Sequence, residues 1–190
     1  MATISGVNVD QLVSTIDAIK ENPSLAEFRF RTETEWIEGG HTRTKVQDFY
    51  GAGAEDTTRE EPFYLVGDEP PVLLGNNAGP NAVETVLAAL ASCLAVGFVY
   101  NATAQGIKVD ALNFELEGEI DLHGFLGLSD EVRPGCKNIS LHYRVESDAP
   151  REEIVELCEY VQRTSPVLDL ICNPVPVSVL LAEGTARTRS

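Results

Sequence analysis

Positive charge is scarce in this chain. Its 190 residues carry 14 Lys and Arg against 30 Asp and Glu, a formal net charge of −16. A field of that sign repels phosphates, which disfavours binding to nucleic acid or to an anionic membrane surface. Histidine is sparse too: His41, His123 and His142 are scattered, and no two of the four cysteines form a C-x-x-C pair. Zinc-ligand spacing is therefore absent, and neither a metal nor a cofactor is expected. There is no G-x-S-x-G elbow, no P-loop Lys-Ser/Thr and no G-x-G-x-x-G. Acyl-serine and nucleotide chemistry thus have no motif to rest on. The opening Met1-Ala2-Thr3-Ile4-Ser5 lacks the basic and apolar regions of an export signal, so a cytoplasmic location with reduced thiols is expected. Long apolar runs are nearly missing. The one exception, Val86–Tyr100, reads VLAALASCLAVGFVY and is shorter than the ~18–20 residues of a membrane span, so it reads as a helix buried in protein.

What is present fits one soluble domain with an appendage. Hydrophobic residues make up 43% and charged residues 23%, enough apolar content for a real core at this length. Val9, Leu12, Val13, Ile16 and Ile19 recur at helical spacing over 9–21, ended by Asn22-Pro23. Segments 26–37 and 42–50 alternate in twos around Gly39-Gly40 and predict a β-hairpin, with a third strand over 62–66. A Gly/Pro/Asn-rich loop, 67–81, leads to the apolar helix, expected over about 81–105 and stopped by Gly106. Strands are expected over 107–121, 138–146 and 174–181, and helices over 150–163 and from Ser165-Pro166. Segment 122–136 reads as an inserted loop. Grouped strands without regular β-α-β alternation point to an α+β fold. The central helix is too apolar to face water, so a curved sheet or a second subunit must cover it. Three divisions follow: a helical extension over 1–25, a main domain over 26–183 and a flexible tail over 184–190.

Cysteine is the residue type best placed for chemistry. Cys93 lies mid-helix between small and apolar neighbours, where a free cysteine is commonly a small buried hydrophobe. Reactivity there requires a cation from elsewhere in the fold. Cys136, between Arg133-Pro134-Gly135 and Lys137, has the most thiolate-favouring local charge. Cys158 stands among Glu156 and Glu159, which oppose ionisation, and Cys172 reads as core.

The runs GPNAVETVLAALASCLAVGFVYNATAQGIKVDALNFELEGEIDL, RPGCKNISLHYRVESDAP and SPVLDLICNPVPVSV resemble the OsmC and organic hydroperoxide resistance family. The resemblance spans about residues 26–182. It implies antiparallel sheets wrapped around a long central helix in an intertwined homodimer. It also implies a thiol peroxidase acting on organic hydroperoxides. Carried over by position, Cys93 is the attacking thiol. Arg43 in GGHTRT matches the arginine that holds thiolate and peroxide, with Arg31 a weaker match, and Glu84 stands nearest the family's glutamate.

Two positions depart from the family pattern. Ser165 stands where the resolving cysteine of C-P-V belongs, and a serine cannot form a disulfide. Cys172 is two helical turns on, about 10.5 Å along the axis. The family's glutamate position holds Val83. Glu84 lies nine residues before Cys93, which places it half a turn away on the helix, where it suits the first-turn dipole. The sequence therefore leaves three readings. One is a one-cysteine peroxidase regenerated by an external thiol. Another is a non-catalytic dimer that binds a small apolar or electrophilic ligand. The last is a structural stress-associated dimer without a pocket.

Overall fold

The computed structural model describes residues 3–182. Two short paired strands, β1 (Thr3–Ile4) and β2 (Val7–Asn8), precede α1 (Val9–Glu21), whose N-terminus is capped by Asn8. Ser5 ties this start to the body. Its Oγ donates to the Val109 carbonyl and accepts from the Val109 N–H. The buried Thr103 hydroxyl donates to the Ile4 carbonyl.

The strands form separate antiparallel groups. β3 (Glu33–Glu38) and β4 (His41–Val46) make the hairpin expected around Gly39-Gly40, and β7 (Phe63–Gly67) pairs on the far side of β4. The first alternating segment becomes strand only from Glu33: Ala26 closes a 3-10 turn, and Arg29 makes a lone bridge to Tyr50. The second breaks in two, with β5 (Phe49–Gly51) leaving to pair with β6 (Ala54–Asp56). β8 (Ala111–Glu119) and β9 (Asn138–Glu146) form the longest hairpin. On its inner face Leu112 opposes Val145, Phe114 opposes Tyr143 and Leu116 opposes Leu141. The outer face is polar, with Glu115 paired to Arg144.

The core sits where this inner face meets α2 (Ala82–Ala104) and α4 (Arg151–Thr164). Leu90, Leu94 and Phe98, spaced by four along α2, pack with Leu157 and Val161 of α4. Truncating a buried side chain as large as Phe98 costs about 3–5 kcal/mol. α2 spans 23 residues, close to the 81–105 expected, and by length and composition alone it could cross a bilayer. Its partners argue otherwise. The polar outer face of the β8–β9 hairpin and the Glu152, Glu153, Glu156 and Glu159 row on α4 cannot enter lipid. Yet only 17% of the most apolar stretch of α2 is buried within the chain.

The loop between β8 and β9 holds a short helix, α3 (Leu122–Phe125), where only loop was expected. α5 (Pro166–Cys172) follows α4 at once. The final strand predicted over 174–181 does not form: Val177, Val179, Leu180 and Leu181 are strongly exposed, and no strand among the described residues pairs with them. The alternation is real, but a strand needs a neighbour. The predicted tail, 184–190, lies outside the described residues.

Candidate functional site

α2 begins with a reciprocal cap. The Asn81 side chain accepts from the Glu84 N–H, and the Glu84 carboxylate accepts from the Asn81 N–H at 2.8 Å. This fixes where the helix starts and hence which face each later residue takes. Cys93 comes three turns on and is half-buried. It faces the junction of α4 and α5, where Ser165 is held in an extended conformation between the two helices.

Ser165 is 5% exposed and has two partners. Its Oγ accepts from the Leu168 N–H at 3.3 Å, capping α5, and lies 3.3 Å from Cys93 Sγ. The cap occupies an oxygen lone pair and leaves the hydroxyl proton available. When Cys93 is a thiolate, that proton is the group that can be donated to it. Ser165, expected from the family resemblance at the resolving position, therefore touches the sulfur. The Ser165-Pro166 capping signal was legible in sequence; its contact across 72 residues to Cys93 was not.

The other candidate residues lie elsewhere in the chain. Arg43 on β4 pairs with Glu35 at 3.0 Å and stacks on Tyr64. Arg31 makes a two-pronged pair with Glu55, which holds that carboxylate below its ordinary range. Glu84 is engaged in the cap. Neither arginine nor Glu84 makes a hydrogen bond with Cys93 among the described residues. Cys172 ends α5 and is exposed, and the remaining thiols are also unpaired. Burial pushes the Cys158 thiol up, with Glu159 adding to the effect and a hydrogen bond with Tyr143 opposing it.

The loop before α2 is closed to phosphate. Asp68, 2% exposed, accepts from the N–H groups of Glu69, Asn76 and Ala78. These bonds, led by Ala78, hold its carboxyl below the usual range. The amides of that loop that could cradle an anion thus already hold one. Among the described residues no cluster of His, Cys, Asp and Glu fits a metal ion.

A cavity of about 600 Å³ lies between α2, β9 and α5. Arg133, Cys136, Lys137 and Cys172 line it, and Cys93 does not. Sequence reasoning noted the charge around Cys136 but had no pattern that joined the β8–β9 loop to α5.

The OsmC-like protein family matches residues 75–180, from the loop before α2 through the end of α5 and beyond. This chain belongs to that family. The match covers the Cys93 helix and the Ser165 junction together. Solved structures agree on the fold. The OsmC-like protein of Mycoplasma pneumoniae superposes with a TM-score of 0.59 at 16% identity, over 77% of this chain and 89% of that one. An OsmC-like protein of unknown function from Vibrio cholerae gives 0.58 at 10% identity, over 75% and 92%. An organic hydroperoxide resistance protein OsmC from Legionella pneumophila gives 0.52 at 16% identity, over 76% and 90%. Among curated proteins, none matches the sequence.

Proposed function

We infer that this OsmC-like chain is a one-cysteine thiol peroxidase that reduces organic hydroperoxides. The observation that carries the reading is the contact of 3.3 Å between Cys93 Sγ and the buried Ser165 Oγ. In the reaction, the Cys93 thiolate attacks the terminal peroxide oxygen. The O–O bond breaks, the leaving alkoxide takes a proton from solvent water to become an alcohol, and the sulfur becomes a sulfenic acid. Ser165 donates its hydroxyl proton to the thiolate as a hydrogen bond and stays uncharged. It contributes no sulfur, so the sulfenic acid persists until an external thiol attacks it. Water leaves, a mixed disulfide forms, and a second external thiol releases Cys93.

The working unit in this reading is a homodimer. Val96 and Tyr100 leave part of α2 uncovered, and β3–β4–β7 exposes Trp36, Phe63 and Tyr64. A second copy laid on these faces buries both, and pairs the unmatched 174–181 segment. It also provides the route by which an arginine of the β3–β4 hairpin reaches a thiol, the partner's rather than its own. The extension over 1–25 then stands beside the domain over 26–183, tied by Ser5 and Thr103.

The test is peroxide consumption with cumene hydroperoxide and excess dithiothreitol. Wild type turns over, and Cys93→Ser does not. A folded wild type that consumes no peroxide would instead favour the non-catalytic ligand-binding dimer.

A further inference from the structure

We propose that the cavity between α2, β9 and α5 is a binding site for a single-chain organic carboxylate, separate from the Cys93 centre. Its shape comes from β9. Ile139, Leu141 and Tyr143 are alternate residues on one face and all line it, so the apolar wall runs about 14 Å along the strand. Leu90 and Leu94 of α2 and Leu168 of α5 complete an apolar channel.

The charged groups gather where β9 begins, while Gln162 lines the cavity beside Tyr143. Arg133, Lys137 and Asn138 line that end, and no Asp or Glu is among the described lining residues. This is an uncommon spot in a chain of net charge −16. Lys137 is shared, since its Nζ pairs with Asp121 at 2.8 Å. Arg133 has no ion pair or hydrogen bond among the described residues, so its guanidinium fork is available to a carboxylate. One unpaired cation matches a monoanion. A phosphate dianion would leave a charge uncompensated in the surrounding negative field. The apolar wall then takes the ligand's hydrocarbon tail.

Two thiols in the wall, Cys136 and Cys172, report occupancy, while Cys93 lies outside it. The experiment measures N-ethylmaleimide labelling of each cysteine by peptide mass spectrometry on the full chain, with decanoate, decanol or decyl phosphate present. Decanoate slows labelling of Cys136 and leaves Cys93 labelling unchanged. Arg133→Gln, an exposed substitution, labels at the wild-type rate without probe and weakens decanoate protection about tenfold or more, as expected for a lost charge-assisted bond. Lys137→Gln has a smaller effect, because Asp121 already holds that charge.

Equal protection by decanol and decanoate overturns the proposal by showing a merely apolar pocket. Stronger protection by decyl phosphate overturns the head-group assignment. Protection without probe that rises with protein concentration shows a second copy in the cavity and also overturns it. Because Cys93 is read separately, failure here leaves the peroxidase reading standing, and the reverse holds.

Discussion

Replacing Ser165 by cysteine tests whether the Cys93–Ser165 geometry can support a disulfide. Cys93 Sγ and Ser165 Oγ are 3.3 Å apart, and an S–S bond is about 2.05 Å, so about 1.2 Å must close. The junction between α4 and α5 can supply such a shift, because Ser165 belongs to neither helix interior. In the reduced state the variant loses a hydroxyl cap, at a cost of about 1 kcal/mol. Once oxidised, the bond joins positions 72 residues apart. Loop-closure entropy for that span amounts to about 4 kcal/mol, an upper value that native strain reduces. The oxidised form of Ser165→Cys is therefore expected to exceed its reduced form by about 2–4 kcal/mol in urea unfolding. The wild type has four unpaired thiols, so the variant starts with five and keeps three after one equivalent of hydroperoxide. Five thiols surviving oxidation, or a disulfide to Cys136 or Cys172 instead, would refute the argument from the Cys93–Ser165 contact.

Three further outcomes follow from particular residues. Ser165→Ala should slow hydroperoxide oxidation of Cys93 about tenfold in stopped-flow measurements, since a hydrogen bond to a charged group is worth about 1.5–3 kcal/mol. Val96, 52% exposed within the chain, lies on the face assigned to a second copy. Wild type should run as a dimer and Val96→Glu as a monomer in light scattering, and a dimeric variant would remove that face from the interface. Asp68 has a depressed folded-state pKa, so its stabilisation is present above the unfolded value of about 3.9 and is lost as pH falls through the folded value. Asp68→Asn should be less stable than wild type at pH 7, and the gap in thermal unfolding should narrow between pH 5 and pH 2.

Local pattern carried much of the fold in the sequence. The 9–21 helix, the Gly39-Gly40 hairpin and the Ser165-Pro166 cap all rest on interactions within a few residues, and such interactions leave periodic or spaced traces. The failures share a cause as well. Segment 174–181 alternates like a strand, but pairing depends on a neighbour, and no described strand supplies one. Segment 42–50 alternates throughout, yet tertiary pairing splits it between β4 and β5. At the site, the family resemblance pointed to Cys93 and Ser165 separately. Their meeting depends on how α4 turns into α5, which no spacing encodes. Arg43 and Arg31 matched by motif, but within one chain each is spent on a neighbouring glutamate. The cavity lined by Arg133 and Cys172 joins segments far apart in sequence and left no pattern to find.

The central claim is that Cys93 alone takes the oxidising equivalent and holds it as a sulfenic acid. Intact-mass spectrometry with a sulfenate trap, after one equivalent of cumene hydroperoxide, measures this directly. The account predicts one trapped adduct per chain within seconds, mapped to Cys93 and absent from Cys93→Ser. No adduct within minutes, or an adduct on Cys136, would contradict it.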